Sequence, residues 1–265
     1  MTNSLITCAY TLTAVGGQPI ASLAARFAAV QLDLTIPRTF GLLPVSDTTA
    51  APVGQAVTRT MVFRMVPTVT GAAILIVGGG AALGPISSLL ITAPGVGYAR
   101  APIAIFGTPG KGGSGHVRMN VGGTTILQGG SGYTGATTVA FVGGEIRSGG
   151  TVAKGTPIIA GGVITGVTIT DHGSEYHAYP DLVFTDSGGG TGASGVASLT
   201  ISSGVVDFPG NGYSNAEPVT LTPYFTASWP DSSNAQGQIL QGWMLEEFQS
   251  ALQTTAILAA TPVVS

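Results

Sequence analysis

Short apolar runs, rich in β-branched residues or alternating with polar ones, recur along most of this chain. The runs VITGVTIT at residues 163–170 and SSLLIT at residues 87–92 are two of them. A period of two residues is typical of a strand that buries one face, and the glycine-rich stretches between the runs are typical of turns. The pattern therefore predicts an all-β fold made of short strands.

Four of these segments align on one spacing. Tyrosine follows the first glycine by three positions in all four, and in three of them phenylalanine follows it by eleven. The segments are GVGYARAPIAIF (95–106), GSGYTGATTVAF (130–141), GSEYHAYPDLVF (173–184) and GNGYSNAEPVTL (210–221). Units this small cannot bury both faces alone, so neighbouring copies must stack. Residues 73–222 are therefore predicted to form a tandem β-repeat array.

Each repeat has a predicted turn built on one glycine and one tyrosine. The turn residues are Gly95, Tyr98, Gly130, Tyr133, Gly173, Tyr176, Gly210 and Tyr213. Because the glycine persists while its flanks vary, it predicts a positive φ or a backbone contact that leaves no room for Cβ. The tyrosine is expected to lay its ring over the neighbouring chain, with its hydroxyl reaching a backbone group.

A longer repeat unit relates the two halves of the array. Residues 84–95 match residues 162–173 at an offset of 78 positions, and the second and fourth repeats have shorter leading segments. This predicts two long–short pairs, in which residues 84–119 and 162–196 form equivalent β-units. Tyr98 should then correspond to Tyr176, and Phe106 to Phe184.

The array is flanked by two segments of different composition. Residues 1–72 are predicted to form a small β-sandwich, with strands in residues 5–13, 30–36 and 58–67 and a loop over residues 37–55. SLAARFAAV, at residues 22–30, fits either a helical turn or a strand. Residues 223–265 are predicted to be a tail with an amphipathic helix near residues 236–255. Its apolar face is expected to contain Ile239, Trp243, Phe248 and Leu252. Docking on a partner and packing on its own domain both remain open for this helix.

The composition is unusually poor in charge. Charged residues make up 8% of the chain, hydrophobic residues 44%, and the net charge is −3. An ordinary soluble domain has roughly 25% charged residues. So few charges predict an oligomer that buries more than the roughly 1,600 Å² of a standard interface. The absence of Lys/Arg clusters argues against a nucleic-acid partner.

Two further features of the sequence have a structural interpretation. The single cysteine, Cys8, allows no intrachain disulfide and is predicted to be a small buried hydrophobe. Residues 71–93 carry no charge and are long enough to cross a membrane, but three consecutive glycines at residues 78–80 disfavour a helix. No membrane span is predicted, and the N-terminus has no basic segment typical of a secretory signal.

The repeats carry a family resemblance. A lead strand, P-G-x-G-Y-x-x-A-P, a short β-run and a bend such as TDSGGGTGA resemble repeats of tailed-bacteriophage virion proteins, including capsid decoration proteins, head fibres and tail fibres. The resemblance covers about residues 84–221, with Thr137 replacing the proline of the second repeat and Pro218 displaced by one position in the fourth. The N-terminal segment loosely resembles attachment or immunoglobulin-like modules of the same proteins through its turn at residues 17–20.

Candidate chemistry is sparse. Residues 171–177 (DHGSEYH), with Asp181 and Asp186, contain metal-ligand types, but the sister turns do without these groups, so no metal is predicted. Gly188, Gly190 and Ala193 fit a dinucleotide pattern, but a strand-like segment follows them, so no cofactor is predicted. There is no G-x-S-x-G motif and the carboxylates are scattered, so the chain is predicted not to be an enzyme.

The sequence therefore predicts a structural protein of a bacteriophage virion, most closely a capsid decoration or cement protein on the particle surface. The expected partners are copies of itself in a homotrimer and other virion proteins, such as the major capsid protein or tail proteins. A short tail fibre or baseplate component is an alternative. Another is an adhesin that binds host glycans through Tyr98, Tyr133, Tyr176 and Tyr213, and a polysaccharide depolymerase is a third. Trp229 and Trp243 are predicted to serve packing, with sugar stacking as the alternative.

Overall fold

The structure is a computed structural model that describes residues 5–14, 19–39, 41–65, 73–78, 83–107, 112–222, 233–252 and 257–260. Strands account for 58% of the structure and helices for 12%, which confirms the predicted all-β class. Within the described residues, no helix has both the length and the apolar character needed to cross a membrane.

The elements fall into three groups along the chain. The first contains β1 (Leu5–Thr13), α1 (Ile20–Ala29), α2 (Thr35–Thr39), β2 (Leu42–Thr49) and β3 (Ala56–Met65). The second contains β4 (Ala73–Gly78), β5 (Ile86–Ala93), β6 (Ile103–Phe106), β7 (Gly113–Ser131), β8 (Thr138–Gly143), β9 (Lys154–Ala160), β10 (Val163–Asp171), β11 (Pro180–Thr185), β12 (Thr191–Pro209) and β13 (Pro218–Thr222). The third contains α3 (Ser233–Leu252) and β14 (Ile257–Ala260).

The two ends of the chain meet in one antiparallel sheet of order β14-β1-β3-β2. Alternate residues of β1 point inward, where Phe27 of α1 and Phe248 of α3 pack on them. The Phe248 ring lies 5.1 Å from the Tyr10 ring and 4.8 Å from the Phe27 ring. Helices therefore cover the apolar face that the predicted sandwich assigned to a second sheet. The described parts of residues 1–72 and 223–265, predicted as separate segments, share this unit, which we call the terminal module.

Local structure in the terminal module differs from the sequence prediction in two places. Residues 30–36 are not a strand, because the carboxylate of Asp33 accepts hydrogen bonds from the N–H and hydroxyl of Thr35 and starts α2 there. Residues 37–55, predicted as a loop, contain β2, which pairs with β3. Residues 22–30 lie mostly in α1, one of the two alternatives. Cys8 is fully buried, as predicted, and burial raises the pKa of its thiol to about 11.

The C-terminal helix packs on its own chain. Phe248 and Leu252 are buried against the sheet and Trp243 is partly buried, as expected for the predicted apolar face, and Met244 joins them. The side chain of Ile239 lies outside the described part of the chain, as do Trp229 and residues 17 and 18 of the predicted N-terminal turn.

The array repeats one unit four times. Each unit has a lead strand, a turn and a short strand, in the pairs β5/β6, β7/β8, β10/β11 and β12/β13. The short strands pair across repeats, β6 with β13 and β8 with β11. Ile105 lies opposite Thr220 and Ala140 opposite Val183, and each of these residues stands ten positions after its repeat glycine. The first repeat therefore pairs with the fourth, and the second with the third, in the same register.

The backbone hydrogen bonds of the turn tyrosines show the same kind of pairing between repeats. The N–H of Tyr98 donates to the carbonyl of Leu199 at 3.1 Å, and the N–H of Tyr176 donates to that of Met119 at 3.1 Å. Leu199 and Met119 each stand fourteen positions before a repeat tyrosine, that of the fourth and second repeat respectively. The predicted equivalence of Tyr98 and Tyr176 is confirmed by these matching partners. Phe106 and Phe184 both contribute to the core of the array.

The array and the terminal module share part of one core. Leu127, Tyr179 and Val196 of the array belong to the same buried cluster as the residues of β1 and α3. The described part of the uncharged stretch at residues 71–93 contains the strands β4 and β5, which pair in antiparallel fashion. Packing of this kind fixes the array against the sheet that joins the chain ends.

Candidate functional site

The repeat glycines have the backbone conformation that the sequence predicts. The φ angles are 62° at Gly95, 60° at Gly130, 61° at Gly173 and 54° at Gly210. A Cβ at Gly173 would also lie 2.6 Å from the amide nitrogen of Ala153 and 2.6 Å from the carbonyl oxygen of Thr151. Both predicted constraints, positive φ and close backbone approach, therefore act at this position.

A second left-handed position follows two residues later in every turn. Gly97, Gly132 and Gly212 occupy it in three repeats, with φ angles of 81°, 76° and 85°. In the third repeat the residue is Glu175, at φ 60°, and its carboxylate accepts a 2.8 Å hydrogen bond from Nε of Arg118. A side chain in this region is strained by about 1–2 kcal/mol, so the third turn differs chemically from its sisters.

The turn tyrosines are buried and serve the fold. They are between 1% and 5% exposed. The hydroxyl of Tyr133 accepts from Ala193 N–H at 3.0 Å, that of Tyr176 from Ala153 N–H at 2.8 Å, and that of Tyr213 from Gly113 N–H at 2.9 Å. These three bonds confirm the predicted reach of the hydroxyl to backbone. The rings are consequently not available to stack on a sugar, which removes the route by which these tyrosines would bind a glycan.

Tyr98 differs from the other three tyrosines. Its ring is 1% exposed, but within the part of the chain that the structure describes its hydroxyl has no hydrogen-bond partner. Burial raises the pKa of this phenol well above its ordinary value. The repeats thus share the position of the ring and differ in how its polar end is satisfied.

The polar side chains of residues 171–186 contact different groups of the protein. Asp171 accepts the Gly173 N–H at 2.9 Å, and Nδ1 of His172 lies 2.6 Å from the carbonyl oxygen of Val121. Asp181 forms an ion pair with Arg38. Among the described residues, no group of three or more histidine, cysteine or carboxylate side chains is placed to hold a metal ion.

The carboxylate of Asp186 is held by several hydrogen bonds within the fold. Its carboxylate accepts hydrogen bonds from the hydroxyls of Thr134 and Thr137 and from the N–H of Gly190. These bonds, led by the one from Thr134, lower its pKa to about 2. The dinucleotide-like pattern runs into the strand β12, which begins at Thr191 and contains Ala193, so the glycines are not followed by a helix N-terminus that could receive a phosphate.

A buried ion pair, missed by the sequence interpretation, lies where the terminal module meets the array. Nε and Nη2 of Arg59 contact the two carboxylate oxygens of Asp47 at 2.8 and 2.5 Å. Arg59 Nη1 donates to the carbonyls of Phe27 and Val30, and the amide of Gln128 donates to Asp47 at 2.9 Å. The sequence contained one sign of this ion pair, because Arg59 occupies an inward position of the alternating strand β3.

A cavity of about 180 Å³ lies beside this ion pair. Leu32, Met61 and Leu127 contribute to its lining, together with Asp47 and Asp181. Both carboxylates already have arginine partners, so the cavity presents no uncompensated charge to a ligand.

The outward side of the array carries two related apolar surfaces. Face one is the outward side of the sheet β5-β4-β13-β6, where Leu90, Ile103 and Ile105 are 50%, 48% and 47% exposed. Face two is the outward side of β10, β9, β8 and β11, where Ile158, Val142 and Val183 are 48%, 48% and 46% exposed. β8 packs against β9 at the place where β13 pairs with β4, so the strand order of the two faces corresponds, although β9 and β10 form a separate two-stranded sheet.

The two faces are nearly free of charge. The four strands of face one contain no Asp, Glu, Lys or Arg. Face two contains three charged residues: Lys154 lies opposite Asp171 in the strand register, and Asp181 pairs with Arg38. Outward apolar side chains without charges are typical of surfaces that contact protein. No family model, curated protein or solved structure matches this chain.

Proposed function

We propose that this chain is a structural component of a bacteriophage virion, a capsid decoration or cement protein that acts as a homotrimer on the particle surface. The carrying observation is the pair of uncharged apolar faces on an array whose turn residues are used internally. Such a surface favours adhesion to protein over chemistry on a small molecule. The resemblance of the repeats to those of tailed-phage virion proteins supports the location.

The contacts of the polar residues favour a non-enzymatic role. The carboxylates of Asp47, Asp181 and Asp186 are each held by hydrogen bonds or ion pairs within the fold. Paired carboxylates for hydrolysis of a polysaccharide would need to face each other across an open groove. Within the described part of the chain, the polar side chains of residues 171–186 instead contact different groups of the fold.

The test locates the chain on purified particles. Gold-labelled antibody against the chain, followed by a density map of the intact particle, is expected to place it at regular positions on the outer capsid surface. Density on the tail would instead favour the short tail fibre or baseplate component. Absence of the chain from purified particles would overturn the proposal. A glycan array tests the adhesin, which requires a surface other than the buried tyrosines.

A further inference from the structure

The two apolar faces of the array are built from equivalent strands of different repeats. Ile105 in face one and Val183 in face two both stand ten positions after their repeat glycine, in the first and third repeats. Their cross-strand neighbours, Thr220 and Ala140, are likewise equivalent. One chain therefore presents two surfaces built on equivalent strand positions, with different side chains at those positions. We propose that face one of one chain docks on face two of a second copy, in a head-to-tail contact.

Charge favours a second copy as the occupant. Burying a charged side chain without a partner is strongly unfavourable, so a surface without charges needs an equally uncharged partner. Face one has no charged residue in its strands, and the charges of face two are at a strand end or paired within the chain. A copy of this chain supplies such a partner surface by construction.

Side-chain size favours contact between unlike faces. Face one presents the large aliphatic side chains of Leu90, Ile103 and Ile105. At the corresponding places, 78 positions later in the chain, face two presents the smaller residues Thr168, Asp181 and Val183. Large side chains pack best against small ones, because interfaces of interior density leave no voids. A contact between two copies of face one would bring large side chains together and leave face two bare.

The available area suits a subunit that uses both faces. Four strands spaced by about 4.8 Å, with about six residues each at about 3.3 Å, make a face of roughly 400 Å². One such contact is small for a stable complex, but a subunit engaged on both sides buries roughly 800 Å², the share of one partner in a standard interface. Head-to-tail contacts that close into a ring bring this about for every subunit.

This inference takes from the proposed function only that copies of the chain associate. Sedimentation of the full chain at micromolar concentration tests it, with Ile105→Glu in face one and Ile158→Glu in face two. Val96→Glu is the control, because Val96 is 59% exposed in a turn outside both faces. Far-ultraviolet circular dichroism and thermal unfolding check that each variant folds. Ile103→Lys and Val142→Lys replace any glutamate variant that does not.

The native chain is expected to form a closed oligomer that Val96→Glu leaves unchanged. Each face variant should weaken self-association by about a hundredfold or more, because a charge is then buried in an apolar contact. A mixture of the two face variants should associate more strongly than either variant alone, since each retains the face that the other lacks, and more weakly than the native chain, since only one contact is regained. That rescue is specific to contact between unlike faces.

Three results would overturn the inference. They are a monomeric native chain, native association in either folded face variant, and mixed variants that associate no more strongly than either variant alone. Particle labelling separates this outcome from that of the proposed function. A monomeric chain found on the capsid would reject head-to-tail docking and keep the virion role. A closed oligomer absent from particles would do the reverse.

Discussion

The terminal module and the repeat array organise their interiors with different kinds of residue. In the module, one buried ion pair ties Arg59 and Asp47 to the carbonyls of α1 and to Gln128 of the array. In the array, glycines at positive φ and tyrosines bonded to backbone recur in the repeats. The site that occurs once, in the module, thus depends on side-chain chemistry. The site that recurs in the array depends on backbone conformation. Substitutions in the two regions should therefore differ in kind.

The largest expected effect belongs to the module. Arg59→Met leaves Asp47 buried without its cation and leaves two carbonyls without a donor, so it should lower the free energy of unfolding by about 3–5 kcal/mol. Urea unfolding measures the loss. The double variant Arg59→Met, Asp47→Leu is the control and should recover part of it, since no buried carboxylate is then left without its cation, while the two carbonyls still lack a donor. A loss below about 1 kcal/mol for Arg59→Met would contradict this account.

In the array, the most sensitive position should be a turn glycine. Gly173→Val should lower the free energy of unfolding by more than about 2 kcal/mol and reduce assembly, because φ is positive and Cβ would meet backbone. Gly54→Val separates the two causes, since Gly54 has φ 60° and open space around its Cβ position. It should cost about 1–2 kcal/mol.

His172→Ala, in the same turn as Gly173, should cost no more than about 1 kcal/mol, because its ring is exposed and makes one hydrogen bond. Unfolding in urea and assembly are measured for both variants. A disruptive His172→Ala together with a tolerated Gly173→Val would mean that residues 171–177 form a working site.

The repeats can also be compared with each other through their tyrosines. Tyr176→Phe leaves the buried N–H of Ala153 without its acceptor and should cost about 1–2 kcal/mol. Tyr98→Phe should change stability by less than about 0.5 kcal/mol, since among described residues the Tyr98 hydroxyl bonds nothing. Thermal unfolding of both variants provides the test. Equal losses would show that the two hydroxyls are satisfied alike.

The smallest effect is a pH dependence in the bend held by Asp186. Its pKa is lowered from 3.8 to about 2, so its stabilising contribution is complete above about pH 4 and is lost as the pH falls towards 2. The difference in stability between the native chain and Asp186→Asn should therefore shrink across that range. Urea midpoints measured at several pH values give this difference. A constant difference would mean that the carboxylate charge does not hold the bend.

Much of the array follows from local sequence. A glycine that persists among varied neighbours has only its backbone freedom to offer, so positive φ at Gly95, Gly130, Gly173 and Gly210 was predictable without a structure. The same spacing predicted tyrosines whose rings lie over the neighbouring chain and the equivalence of the two halves. The faces were only partly predictable: the low charge indicated covered surfaces, but not which strands carry them.

The terminal module was harder to predict because its elements depend on distant partners. β2 contains Pro44, Ser46 and Asp47, which are poor strand formers, and it is a strand because β3 pairs with it. The two-residue period of β3 is enough to infer that Arg59 points inward. The sequence does not identify Asp47 as its partner, because the two residues meet only after β2 pairs with β3.

Sequence alone determined the repeat, its turns, the all-β class and the shortage of charge, because these depend on local conformation and composition. Tertiary structure alone decided that the first repeat pairs with the fourth and the second with the third, since four similar strands are nearly interchangeable by pattern. It also decided that β14 pairs with β1 as an edge strand of the sheet. Strand pairing depends on contacts between residues far apart in the chain, and a periodic pattern carries no information about which distant copy supplies them.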